Sequence, residues 1–273
     1  MVDLLLDGLV LFVAAVAFVY AVKRLFAAAF AFAVLAGVIV FLRMLLPIRV
    51  AYRFEWSAVT DNIGPLADGL FLTIRLSVGG MAVALVLGLV VAVLRMSRSP
   101  FLAVPANVFI QVLRGVPLII FIFWIYYGVA RIFGIAFSSS VAGIISLGLT
   151  GAAYMAEVYR GGLQAIDPGQ REAGLAMGLG RLDAFARIVM PQALRIVLPP
   201  TVNVFVGLLK GATILGVIGV ADMLYFARLE ALRTAKPFEL YTVAGLALVA
   251  TTVAIAGFAG LLERRLGRGV RVG

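Results

Sequence analysis

The fold class predicted by this 273-residue sequence is an all-α integral membrane protein, and three observations carry that expectation. Hydrophobic residues fill 64% of the chain and charged residues 13%, whereas a soluble domain is roughly half apolar and a quarter charged. Several apolar runs reach the roughly 20 residues that a helix needs to cross about 30 Å of hydrocarbon at about 1.5 Å per residue. Lysine and arginine gather in short loops and at the tail, the distribution expected when basic residues hold loops on the cytoplasmic side. The net charge of +10 therefore reads as topology, and no nucleic-acid partner is expected. The sequence has no cysteine and no histidine. That removes disulfides, thiolate metal sites and the commonest general base and metal ligand, so neither a metal site nor a catalytic residue is expected.

Hydropathy places spans at about Leu4 to Val22, Leu25 to Leu46, Gly69 to Leu94, Val108 to Phe133, Val141 to Val158, Ile196 to Val220 and Tyr241 to Leu262, about seven in all. The opening MVDLLLDGLVLFV lacks the basic flank and small-residue cleavage site of a secretory signal and reads as a retained first span. With the N-terminus outside, the inner loops receive Lys23, Arg24, Arg95, Arg98, Arg160, Arg171, Arg181, Arg187 and Arg195. The tail from Arg264 to Arg271 adds four more arginines on that side. Only Arg43, Arg49, Arg53, Arg131, Arg228, Arg233 and Lys236 fall outside, so the C-terminus is cytoplasmic. The segments Pro47 to Asp68, with Tyr52 and Trp56, and Ala221 to Leu240 read as outer loops.

Two stretches are unlike plain spans. The apolar run from Phe101 to Phe133 is about 33 residues, or roughly 50 Å as helix, too long for one upright crossing. Pro105 and Pro117 are the expected breaks, giving an interfacial elbow from about Phe101 to Asn107 and a span disturbed at Arg114-Gly115-Val116-Pro117. The segment of about 160–195 is the longest polar interval, yet it is patterned. Asp167-Pro168 is a helix start, Ala173, Ala176 and Met177 have helical spacing, and Gly178 and Gly180 interrupt it. A second amphipathic stretch, Leu182, Phe185, Ile188 and Val189, is expected to stop at Pro191. On spacing, Gly174 and Gly178 form a small-residue face, flanked by Arg171, Glu172 and Arg181 as polar contacts.

That loop resembles the signature of ABC importer permeases, which runs Glu-Ala-Ala, three residues, Gly, nine residues, Ile, one residue, Leu-Pro. Here the match is Glu172-Ala173-Gly174, Gly178, Ile188 and Met190-Pro191, with Gly174 and Met190 departing from the pattern. A wider likeness to the polar amino acid uptake family covers roughly Gly64 to Leu262, through GLFLTIRLS, VLRGVPLI, AAYMAEVYRGGLQAI and MPQALRIVLPP. Where that family usually has Lys-Asp-Thr-Ser-Leu, this chain has Lys210-Gly211-Ala212-Thr213-Ile214.

The resemblance implies a five-helix permease core over residues 64–273, preceded by two extra transmembrane helices and an outer linker over residues 1–63. It implies a bacterial inner-membrane importer subunit that moves a polar amino acid or similar small zwitterion by alternating access. Its partners would be two cytoplasmic ABC ATPases, a second permease (homologous or identical), an extracytoplasmic substrate-binding protein and the membrane lipid. Arg171, Glu172, Ala173, Gly174, Gly178 and Arg181 would contact the ATPase. No cofactor is expected on this chain. ATP and Mg would sit on the partner subunits, since Lys23, Lys210 and Lys236 are not set between Gly and Ser or Thr as a phosphate-cradling loop requires. The rival reading is an ion-gradient-driven secondary transporter or channel, which calls for an internal repeat of spans.

Candidate pathway residues are polar groups at or near membrane depth, where a charge is costly unless it meets a cavity or a partner. Arg114 lies beside the Gly115 to Pro117 break and suits a substrate carboxylate. Glu157 is either a pathway acid or the intrahelical partner of Arg160. Lys210 and Arg75 either face the pathway or snorkel. Asn203 and Thr213 either bind solute or pack helices.

Overall fold

The structure is a computed structural model that describes residues 33–38, 40, 41 and 52–267, with side chains as far as Leu261. The chain falls into two units, Met1–Val59 and Thr60–Gly273. In the first, residues 33–38, 40 and 41 are helical, and the Phe54 and Trp56 rings lie 4.7 Å apart. The rest of the two spans placed before Pro47 lies outside the described residues.

Among its described residues the second unit consists of helices joined by short turns and extended connections. Its elements are α1 (Ile63–Arg95), α2 (Pro100–Gly115), α3 (Leu118–Phe133), α4 (Ser139–Gln164), α5 (Pro168–Ala176), α6 (Arg181–Ala212), α7 (Met223–Thr234) and α8 (Pro237–Gly267). Among the described residues, α1, α4, α6 and α8 are long and apolar enough to cross a membrane, and α2 with α3 makes a fifth candidate if the bent pair is one span.

Glycine determines how the core closes. A Cβ on Gly80 would stand 2.7 Å from the Leu147 Cβ, one on Gly88 would stand 2.6 Å from the Met155 Cβ and 3.1 Å from the Ala152 carbonyl, and one on Gly151 would stand 2.7 Å from the Ala84 Cβ. The pairing advances in the same direction along both helices, so α1 and α4 run parallel with backbones nearly touching. Small residues permit such approach, which supplies the dispersion contacts that hold helices together where lipid removes the hydrophobic drive. Around this seam Leu76, Ile122, Leu147, Met155, Leu208 and Leu215 form the main core.

Several expected boundaries move. Pro105 does not break α2, because only one turn precedes it and Ala106, Ile110 and Leu113 bury one face of the helix that follows it. The break falls at Val116 and Pro117, with Val116 extended at ψ 131 as the residue before a proline prefers, and α2 and α3 meet there at 110°. Pro191 does not stop the second loop helix either. A wide π turn over Phe185–Val189, closed by the Met190 N–H on the Phe185 carbonyl, precedes it and accommodates the ring, so α6 runs unbroken from the loop into the membrane. The extra residue in that turn rotates the buried face to Ala184, Val189, Ala193 and Val197, leaving Leu182 and Phe185 exposed. The helix then ends at Ala212, short of the expected Val220, in a 3₁₀ turn over Leu215–Ile218 and a left-handed Gly219. The expected outer loop Ala221 to Leu240 contains α7, started by Asp222 and ended by Ala235 at φ 55.

Candidate functional site

The loop between α4 and α6 is built as a stiff projection. Asp167 caps α5, its Oδ1 accepting the Gly169 N–H at 2.7 Å, and Pro168 supplies a preset φ. At the other end the Leu179 N–H donates to the Gly174 carbonyl at 3.1 Å and the Gly178 N–H to the Leu175 carbonyl at 3.0 Å. With Gly178 at φ +86, these two bonds make the paired closure of a Schellman turn. Gly174 is buried where α5 crosses α6, and a Cβ there would meet Ile188 Cδ1 at 2.6 Å and the Ala184 Cβ at 3.2 Å. The Gln192 amide adds hydrogen bonds to the Ile188 carbonyl at 3.0 Å and the Gln170 side chain at 3.5 Å. Thus α5 is fastened to the first turns of α6, which is itself a membrane-length helix.

The expected shared face of Gly174 and Gly178 is not formed. Gly174 points into the α6 contact, while Gly178 lies past the helix end in the turn and has no heavy atom within 4 Å of a built Cβ. Arg171, Glu172, Ala173 and Arg181 are exposed, and the charged three make no hydrogen bond or ion pair among the described residues. Leu175, Met177 and Leu182 are exposed beside them. The tip therefore offers apolar and charged surface with no internal partner.

A second group lies where α1, α2 and α4 meet. Glu157 Oε1 accepts from Arg95 Nη1 at 2.5 Å and from Arg114 Nη1 at 3.2 Å, and its Oε2 accepts from Arg160 Nε at 2.9 Å. The Arg160 pair anticipated within the helix is present, but it is one of three. Arg160 also donates to Gln164. Arg114 lies with its guanidinium carbon 5.4 Å from the centre of the Tyr154 ring, a cation–π distance. Three guanidinium groups against one carboxylate leave this junction cationic.

The other predicted pathway residues are not joined to this group by a hydrogen bond or ion pair among the described residues. Asn203 and Lys210 are exposed along one side of α6, with Gly207 between them. Thr213 Oγ1 donates to the Lys210 carbonyl at 2.7 Å, so its hydroxyl serves the helix end first. Arg75 is exposed on α1, 5.7 Å from the Phe71 ring centre.

Sequence reading missed a third cluster around Asp222. This carboxylate is fully buried, with Oδ1 accepting the Tyr225 N–H at 2.8 Å and Oδ2 the Gly216 N–H at 2.9 Å. Thr73 accepts the Met223 N–H at 3.3 Å and donates to the Gly69 carbonyl at 2.8 Å. A Cβ on Gly69 would stand 2.7 Å from Met223 Cα. Burial pushes the Asp222 carboxyl up to about 6, opposed by the N–H groups of Tyr225, Gly216 and Leu224. The available signal was Asp222 followed by an apolar run, an N-cap pattern inside what reads as a loop.

Residues 84–268 match the family model described as binding-protein-dependent transport system inner membrane component. The chain belongs to that family. Among curated relatives, a probable amino-acid ABC transporter permease protein of Sinorhizobium fredii is 39% identical over 213 residues, covering 75% of this chain and 92% of the relative. A probable amino-acid permease protein of Bacillus subtilis is 32% identical, covering 80% and 98%. The glutamine transport system permease protein of Escherichia coli is 31% identical, covering 78% and 98%. A solved amino acid ABC transporter with histidines aligns at TM-score 0.73 and 30% identity, covering 78% of this chain and all of that one. This chain is thus an ABC transporter permease of the amino acid group, an all-α protein of the membrane.

Proposed function

We propose that this chain is the non-catalytic transmembrane subunit of an ATP-driven importer for a polar amino acid or similar small zwitterion. It works with two cytoplasmic ATPases that carry ATP and Mg, a second permease and an extracytoplasmic binding protein. The observation that carries this reading is the mechanical continuity of the Glu172–Gly178 projection with α6. A short capped helix, packed at Gly174 and joined through Gln170 to Gln192, leads into a helix of 32 residues. Closure of an ATPase around α5 pushes on a helix that continues without interruption to Ala212. Such a two-state element with different contacts in each state is what coupling requires.

In this reading the N-terminus is outside, the α5 loop and C-terminus are cytoplasmic, and residues 1–63 add two helices to the permease core. Docking of the loaded binding protein outside is followed by ATPase closure, transmission through the Glu172 loop and release inward. Arg114, Glu157, Asn203, Lys210 and Thr213 border the route. The amino acid names of the relatives support the cargo class. The deciding experiment reconstitutes the chain with its co-purifying subunits and measures ATP hydrolysis as candidate binding proteins and amino acids are added. Stimulation by a liganded binding protein is expected. Uptake that follows an ion gradient without any ATPase would overturn it.

A further inference from the structure

Arg114 is unlike the other two arginines on Glu157. Its side chain is 40% exposed against 20% for Arg95 and 32% for Arg160, and its bond is the longest of the three. It lies in the last turn of α2, two residues before the break at Val116. Of its five N–H donors one is engaged with Glu157, and its guanidinium carbon stands 5.4 Å from the ring centre of Tyr154, itself exposed. If Arg114 lets go, Glu157 keeps both of its other guanidinium partners. If Arg95 or Arg160 lets go, a less exposed bond is lost.

From this geometry we infer that Arg114 is an exchangeable carboxylate receptor: a solute carboxylate displaces Glu157 from it, with Tyr154 as the platform that holds the guanidinium plane. The inference rests on the importer reading and adds to it the atoms that recognise the cargo. The recognised chemistry is a planar anionic oxygen pair, which the guanidinium fork matches with two parallel hydrogen bonds. Exchange is inexpensive because the carboxylate leaving Arg114 stays paired, whereas an arginine abandoned near the membrane core with no anion is costly. Glu157 is then a competitor for the site and a positioning group for Arg95 and Arg160, not a ligand for the solute.

The sign of one substitution separates this from a structural role. Purified permease–ATPase complex without binding protein is equilibrated with a pool of radiolabelled proteinogenic L-amino acids, then challenged with the unlabelled pool, the matching α-amides, or phosphatidylglycerol. Retention displaced by the pool but not by the amides is expected. Arg114→Leu should lower retention at least about tenfold, since each of the two charge-assisted hydrogen bonds it removes is on that scale, with Arg114→Lys and Tyr154→Leu lying between. Glu157→Gln should raise retention several-fold, because the internal competitor is gone. Because that variant leaves three arginines together, its assembly is checked by gel filtration. If it does not assemble, the Lys and Leu variants decide. Equal displacement by α-amides, lower retention in an assembled Glu157→Gln, wild-type retention in Arg114→Leu, or no retention in the wild type would each overturn the exchange. Displacement by phosphatidylglycerol alone would assign Arg114 to a lipid phosphate and overturn it as well. Binding-protein-stimulated hydrolysis in the wild type is recorded in parallel. Its loss would instead count against the importer reading.

Discussion

Replacing Gly178 by valine tests the coupling projection at the point where the backbone leaves least choice. The residue sits at φ +86 and has open space around it, so a new side chain clashes with nothing and the whole effect is in the turn. A β-branched residue in the left-handed region costs about 1–3 kcal/mol. Relief of that strain breaks the two closing bonds, Leu179 N–H to Gly174 and Gly178 N–H to Leu175, each worth about 1 kcal/mol net. A shift of about 2–3 kcal/mol changes the ratio of native to altered turn roughly 30- to 100-fold, at about 1.4 kcal/mol per tenfold. Membrane insertion and complex assembly should survive, since the turn lies outside every span. Uptake, and ATP hydrolysis in response to binding protein, should fall by a comparable factor. Gly178→Asn should fall much less, because asparagine tolerates positive φ. Normal uptake with normally stimulated hydrolysis in Gly178→Val would refute the reasoning that this turn transmits the stroke.

Further outcomes follow from the packing and the charges. Gly88→Leu drives a side chain into the Met155 Cβ and the Ala152 carbonyl, and should lower the melting temperature of the detergent-solubilised protein, overpacking costing about 1–3 kcal/mol. An unchanged melting temperature would mean that α1 and α4 are farther apart than described. Asp222 holds its proton up to about 6 when folded and to the ordinary 3.8 when unfolded. Between those values the unfolded chain binds fewer protons, so its contribution falls as pH rises, by about 2 kcal/mol from pH 4 to 6. Asp222→Asn should lack that slope, so the difference between the two proteins' stabilities should fall as pH rises from 4 to 6, and identical slopes would reject the buried carboxyl. For topology, single cysteines at Trp56 and Arg181 in this cysteine-free chain should label with an impermeant thiol reagent on intact cells at 56 and not at 181, and the reverse pattern would invert the orientation.

Much of the fold was legible because its cause is local. A span is a length of apolar sequence, an N-cap is Asp167 before Pro168, and the residue before Pro117 is extended for steric reasons that any chain obeys. The motif around Glu172 was legible as spacing. Proline was over-read, since Pro105 and Pro191 were expected to end helices and do not. At Pro191 one added residue in the π turn makes room for the ring, and the burial of Val189, Ala193 and Val197 outweighs the missing N–H. No local rule signals that trade.

By itself, the sequence determined a helical membrane protein, its importer-type loop and the turn at Gly178, because hydropathy, helix ends and positive φ depend on residues within a few positions of one another. Only the tertiary structure decided that Glu157 answers to Arg95 and Arg114 as well as Arg160, that Gly80, Gly88 and Gly151 are a contact surface, and that Asp222 binds the start of α7 to the turn after α6. The ion-pair partners Arg95 and Glu157 are 62 positions apart in the chain, and the glycine contacts are as distant as Gly80 and Leu147. A side chain's charge can be read from sequence, but the group that neutralises it is set by which helices the glycines allow to touch.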